Sequence, residues 1–360
     1  MSQLDQVFGM LNRLYLSGKQ ALLLNLLGNE IRKVANSYFQ QGQPPAYYDQ
    51  FFEKFTAVWL DLLNRRSYIE AQEIWRFALS LAFEWEDNNN QRHGIHKGTP
   101  YYFWGVTAIL NDELEDGFLL MHQALEEDRR NIHPKTPQTP AYFFVTLDDT
   151  KVGQFFRPKV VEIGQYLLER IEEYRKTRNG TLDKSNFKAK FLECIDLSEE
   201  IFLFVYLLFK LKKLVETHIA WKQNVFSSLL HAKALFDTCL VIEKVIEQKN
   251  PESKVKGAKL RLSDEIKFLS TKKVASLTVG SRIGKLNADF DADFAGTLSN
   301  ILDSKYTLTL SKIEEDLAIA YGIRNFAAHK VENQPVLYQR MGELSQRLLN
   351  ALFFSIEKLY

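Results

Sequence analysis

The 360-residue sequence predicts an all-α protein, with helical hairpins in its first half and a helical bundle in its second. Three observations carry that prediction. Apolar residues recur at steps of three and four along most of the chain. Capping signatures precede several of these runs, the clearest being Ser67-Tyr-Ile-Glu70 and Ser311-Lys-Ile-Glu314. Breaks fall where proline, glycine and polar residues cluster, as in Gln41-Gly-Gln-Pro-Pro45 and the three-proline segment 131–140.

In chain order, Ser17 to Gln20 can cap a helix carrying Leu22, Leu23, Leu26, Leu27, Ile31 and Val34. A second helix follows through Phe51, Phe52, Phe55, Val58, Trp59 and Leu62, and a third from Ser67 through Ile74, Phe77, Leu81 and Trp85. Aromatic side chains on these faces fill space between packed helices. Residues 87–98 form a polar segment read as a solvent-exposed loop. Its His93-x-x-His96 pair lacks further ligands at metal-binding spacing.

Thr99-Pro100 then reads as an N-cap with proline at the first helical position, opening a helix through Tyr102, Phe103, Val106 and Ile109. A tight turn at Asn111-Asp-Glu113 leads to a partner helix carrying Phe118, Leu119, Met121 and Leu125. With Gly105 and Ala124 as small contact residues, this pair resembles a tetratricopeptide unit, although no 34-residue period repeats it. That resemblance implies a scaffold or sensing surface for a protein or ligand trigger. After a helix spanning about Pro158 to Lys176, the glycine-containing, weakly apolar stretch 177–184 marks a domain boundary, giving domains 1–180 and 181–360.

The second half opens with helices near Phe187 to Cys194 and Ser198 to Thr217, then a long one from about Trp221 to Gln248. His231 on the long helix reads as a packed, structural histidine. The most basic stretch lies between Lys249 and Lys273, eight basic residues against three acidic ones. Lys254, Lys256, Lys259 and Arg261 in it, with Lys330 further on, are candidate phosphate contacts. A solvated lysine-rich loop accounts for the same composition. Gly280-x-x-x-Gly284-Lys285 is one residue short of a phosphate loop. Asp289-x-Asp291-x-Asp293 lacks the glycine and glutamate of a calcium loop. Both read as packing or helix-start chemistry.

Composition sets limits on function. At 46% hydrophobic and 25% charged the chain is ordinary for a soluble globular protein. Its 46 basic and 45 acidic residues exclude a globally basic nucleic-acid binder, so any such contact requires a local patch. Two cysteines, Cys194 and Cys239, are too few for a disulfide framework or zinc cluster and fit a reducing compartment. The most apolar run, Ile201 to Phe209, is nine residues long against roughly 20 for a bilayer span, and no secretory signal is read at the N-terminus. The expectation is a cytoplasmic protein with no membrane partner, cofactor or metal.

The stretch that decides the functional reading is Arg324-Asn-Phe-Ala-Ala-His329. A helix starting near Lys312 carries Ile313, Leu317, Ala320 and Arg324 at steps of four, three and four. The guanidinium therefore sits where an apolar stripe would place a leucine, and it needs a partner. On an unbroken helix His329 lies about 140° around the axis and about 7.5 Å along it from Arg324. A compact site therefore requires the helix to break near Ala328, or two copies to face each other so that each arginine meets the other chain's histidine.

This arginine, followed by a polar residue, three more residues and a histidine, resembles the R-x4-6-H signature of the HEPN superfamily. The resemblance covers at best the second half of the chain, where the helix from Val336 to Tyr360 could close the bundle. It implies a dimerising helical bundle and a metal-independent endoribonuclease, with Arg324, Asn325 and His329 as catalytic residues and RNA as substrate. It also suggests a toxin or anti-phage defence effector. Two other readings stand beside it. Cations near a helix C-terminus are favoured by its free carbonyls, so Arg324 and His329 can be purely structural. The same bundle can also serve as a non-catalytic interaction or RNA-binding regulatory module. A nucleotide-transferring partner protein has no glycine-rich loop or carboxylate pair to support it.

Overall fold

The computed structural model describes residues 3–16, 20–217, 225–254, 261–329 and 334–360, with side chains except those of residues 14–16, 20–26, 254, 328 and 329. No strand occurs among the described residues, and the protein is all-α. The contacts divide it into two compact units, residues 1–144 with 148–157, and residues 145–147 with 158–360. The sequence places the boundary at 180. The difference is the helix Arg157–Arg178, whose Val160, Ile163, Leu167, Ile171 and Tyr174 are buried in the second unit.

The first unit contains α1 (Gln3–Leu16), α2 (Gln20–Tyr38), α3 (Pro45–Phe52), α4 (Thr56–Asn64), α5 (Tyr68–Asn88), α6 (Gly98–Leu110) and α7 (Leu114–Asn131). The short α8 (Pro140–Val145) follows the proline-rich connection. The expected cap at Ser17 and the positions Leu22, Leu23 and Leu26 lie outside the described residues or side chains. A dense aromatic core forms where α3 to α6 converge: Phe55 packs near Trp75, and Trp75 stacks on Phe103 at 5.0 Å. The α6/α7 hairpin closes tightly because Gly105 and Gly117 lack side chains; a Cβ at Gly117 would lie 2.9 Å from the Ile109 amide nitrogen. Gly117, rather than Ala124, is thus the partner of Gly105.

Two predicted caps are not made. Ser67 precedes α5 without a side-chain capping bond. Thr99 falls inside α6, where its hydroxyl donates instead to Asp49 at 2.7 Å. The polar 87–98 segment is exposed at His93 as read, but differs from that reading at residues 95–97. Ile95, His96 and Lys97 are buried, because their polar groups meet carboxylates of α5 and α7 rather than water.

The second unit holds α9 (Arg157–Arg178), α10 (Lys184–Phe187), α11 (Ser198–Thr217), α12 (Val225–Glu247), α13 (Leu262–Phe268), α14 (Ile283–Ala292), α15 (Phe294–Leu302), α16 (Lys312–His329), α17 (Pro335–Gln339) and α18 (Met341–Leu359). Its core is built from α12, α16 and α18, which pack on one another, with α11 against α12. Ile201, Phe204, Val205, Leu208 and Phe209 of the apolar run are buried there. By length and composition alone α12 could cross a membrane. The ion pair that its Glu243 makes with Arg324, and its packing on α11, α16 and α18, account for it as a core helix.

Glu314 secures the start of α16. One of its oxygens accepts from the Ser311 amide at 2.8 Å, as a capping box requires. The other accepts from the Val279 amide at 2.8 Å, tying the helix start to the segment before α14.

Candidate functional site

The residues that surround the Arg324 motif are set by α16, and α16 runs without interruption to His329. The helix break near Ala328 that would bring Arg324 and His329 together in one chain does not occur. Successive side chains of a helix point about 100° apart, so Arg324 and Asn325 face different neighbours.

Arg324 faces α12. Its Nε donates to Glu243 Oε2 at 2.9 Å, and Nη2 reaches Oε1 at 3.4 Å. The guanidinium is 18% exposed and the Glu243 side chain 9%. The partner that a cation on an apolar stripe requires is therefore a carboxylate within the same chain. This side-on pair engages Nε and Nη2 and leaves Nη1 outside it.

Asn325 faces the other way, into a cavity of about 260 Å³. Four elements build it, the fourth being α15 through Phe294. From α16 come Tyr321, Asn325 and Phe326, with Gly322 between them; from α14 come Asn287, Phe290 and Asp291 at helical spacing; Arg261 and Ser263 enter at the start of α13. Gly322 is required by the close approach of α14, since a Cβ there would run into the Phe290 ring. Phe294 stacks on Phe326 with centroids 4.1 Å apart and forms an apolar wall. Along the polar wall the Tyr321 hydroxyl donates to Asn287 Oδ1 at 2.7 Å, and Asn287 Nδ2 donates to Asp291 Oδ2 at 2.8 Å. Aromatic walls, carboxamides, a carboxylate and a guanidinium form a lining that can hold a planar polar group carrying an anionic substituent.

Of the residues singled out from the sequence, the structure brings Asn325 and Arg261 to one cavity and turns Arg324 away from it. The backbone of α16 carries position 329 one turn beyond Asn325, on the row that begins at Tyr321. The His329 side chain, the Lys254 side chain, Lys256, Lys259 and Lys330 lie outside the described residues. His231 is fully buried, as read from the sequence; Nδ1 lies 2.5 Å from the Ser227 carbonyl oxygen, and the ring packs against Tyr338.

Sequence reasoning missed Asn287, Asp291 and Tyr321. Asp291 was visible only as part of a rejected calcium pattern, whose outer members have other tasks. Asp289 binds Lys285 at 2.9 Å, and Asp293 caps α15 by accepting from the Gly296 amide at 2.9 Å.

No protein-family model, curated protein or solved structure matches this chain.

Proposed function

We propose that the second unit is a metal-independent endoribonuclease whose site is completed by a second copy of the chain, with Arg324 and His329 from opposite subunits acting on one phosphate. The observation that carries this reading is the unbroken run of α16 to His329, which leaves pairing across a dimer as the way to join the two groups. Asn325 and Arg261 in a cavity beside the motif supply positions for a nucleotide.

In this mechanism His329 takes the proton from the RNA 2′-hydroxyl, or returns one to the leaving oxygen. Arg324 stabilises the charge that builds on the phosphate, and Glu243 fixes its rotamer beforehand. Asn325 orients the scissile nucleotide. Because the nucleophile belongs to the substrate, the products carry 2′,3′-cyclic phosphates, DNA is not cut and magnesium is not needed. The first unit acts as a sensing or scaffold module built on a tetratricopeptide-like hairpin, and the resemblance of the motif suggests a toxin or anti-phage role.

The decisive experiment is RNA cleavage in chelator by wild type, Arg324→Ala and His329→Ala, each expected to lose at least about 100-fold in rate. Co-expressed Arg324→Ala and His329→Ala chains should regain about a quarter of wild-type activity, because half of the dimers are mixed and each carries one intact composite site. No cleavage by any of the proteins, or equal cleavage by all three, sinks the proposal.

The part-buried Arg324–Glu243 pair favours a second reading, a non-catalytic RNA-binding regulator in which Arg324 only joins α16 to α12. RNA binding that is unchanged in His329→Ala and never followed by scission selects it.

A further inference from the structure

The first unit contains a buried ionic cluster that the nuclease mechanism does not use. His96 is 4% exposed and lies between two carboxylates: Nε2 is 3.1 Å from Asp128 Oδ1, and Nδ1 is 3.3 Å from Asp49 Oδ1. Each carboxylate is held by a threonine hydroxyl, Thr99 on Asp49 at 2.7 Å and Thr139 on Asp128 at 2.5 Å. Gly98 permits this convergence, because a Cβ there would collide with Asp128 and come within 2.8 Å of the His96 ring.

Three features separate this cluster from an ordinary buried ion pair. It lines a cavity of about 220 Å³, together with Glu53, Tyr102 and Phe103. The cavity has three carboxylates, Asp49, Glu53 and Asp128, against one imidazole, so it is anionic even with His96 charged. Finally, His96 Nδ1 is buried without a hydrogen-bond partner, since its approach to Asp49 is not aligned as a hydrogen bond. A buried N–H donor left unmade costs about 1–3 kcal/mol, which an acceptor on a ligand would recover.

The geometry points to a binding site for an α-ammonium group with a neighbouring carbonyl oxygen, the chemistry of an amino-acid amide or of a peptide N-terminus. The excess carboxylates take the ammonium, with Asp49 inside and Glu53 at the rim. The unpartnered Nδ1–H of His96 donates to the carbonyl oxygen. In such a ligand nitrogen and oxygen are three bonds apart, about 3 Å from standard bond lengths. The acceptor and donor that would meet them, Asp49 Oδ1 and His96 Nδ1, are 3.3 Å apart. A simple alkylamine satisfies the carboxylates but leaves Nδ1 unmade. Ile132, Pro140 and Ala141 offer an apolar wall for a side chain.

Burial alone would lower the His96 pKa, but the hydrogen bond to Asp128 and the negative charges of Asp128 and Asp49 outweigh burial and hold it at about 9. The ring therefore remains a donor on both nitrogens at neutral pH.

The test is calorimetric titration of the full-length protein at pH 7.5 with leucinamide, isoamylamine and N-acetyl-leucinamide. Leucinamide should bind saturably at one site per chain, and the other two at least tenfold more weakly. Glu53→Gln, an exposed rim change that leaves the fold intact, should weaken leucinamide severalfold. Asp49→Asn, checked by circular dichroism for folding, should weaken it at least tenfold. Leu-Gly-Gly compared with leucinamide separates a peptide N-terminus from a free amino-acid amide. Isoamylamine binding as tightly as leucinamide, no saturable heat up to 10 mM, or affinity unchanged in both variants overturns the proposal.

Discussion

The first unit's His96 cluster and the second unit's Asp316 cluster are both buried groups of charges, and they differ in whether their polar atoms are used up. Asp316 is fully buried, and both of its oxygens are taken. Arg178 binds it through Nε at 2.5 Å and Nη2 at 3.0 Å, while Arg347 reaches Oδ1 at 2.9 Å. Glu315 shares Arg347 at 3.2 Å. The cluster ties α9, α16 and α18 together in the second unit. The His96 cluster retains an unpartnered ring nitrogen and lines a cavity. A satisfied network of this kind is a staple; one with an unmade bond facing a cavity has capacity for a ligand.

The sharpest way to break this comparison is to remove the carboxylate from the staple. Asp316→Asn leaves two buried guanidiniums facing a neutral amide, and should cost about 3–5 kcal/mol of stability in the second unit. Thermal unfolding would show it as a large fall in midpoint; a shift of only a degree or two would mean the cluster is dispensable.

The next largest effect concerns pH. The folded-state pKa of His96, about 9, lies above its ordinary value of 6.5. The ion pairs therefore contribute fully below pH 6.5, and their contribution is lost as pH rises through 9. The first unit should lose about 2–3 kcal/mol across that window. His96→Gln should flatten the dependence, which urea unfolding at a series of pH values would reveal.

A buried acid in the second unit behaves in the same sense for the opposite electrostatic reason. Burial, and the nearby carboxylates of Glu247 and Glu243, push Glu265 up to about 7 despite a hydrogen bond from Asn250. Its protonated form is the one the core accepts. Stability present below the ordinary carboxylate range is lost as pH rises through 7. Glu265→Gln should therefore melt above wild type at pH 8, by about 1–2 kcal/mol, with the gap closing by pH 5.

The smallest change in stability is expected at exposed Arg261, where Arg261→Ala should alter folding by less than about 0.5 kcal/mol. The same variant should reduce the slope of RNA affinity against salt by about one, if the residue meets a phosphate.

Much of the helical architecture was legible in the sequence because helices announce themselves locally. The start of α16 follows from Ser311 and Glu314, three residues apart: Glu314 reaches back to the Ser311 amide as expected, while the serine hydroxyl donates to the same carboxylate rather than accepting from a first-turn amide. The α6/α7 hairpin follows from its period and its Asn111-Asp112 turn, where Asp112 adopts a positive φ of 68°. The candidate site was legible only at Asn325 and Arg261. Asn287, Asp291 and Tyr321 belong to helical patterns in which nothing marks one polar residue as facing a cavity. Residues 95–97 of the polar 87–98 segment failed in the opposite direction: their composition reads as a solvated loop, yet Glu86 of α5 and Asp128 of α7 supply partners that permit burial.

The sequence by itself determined the all-helical class, most helix cores and the demand that Arg324 find a partner, because period, capping and the cost of an unpaired cation are properties of neighbouring residues. Tertiary structure alone decided that Glu243 is that partner, that α9 belongs with the second unit, and that His96 sits in an anionic cavity. Those outcomes depend on side chains tens of residues apart meeting in space, where hydrogen-bond geometry and burial, rather than residue type, set which polar groups are satisfied.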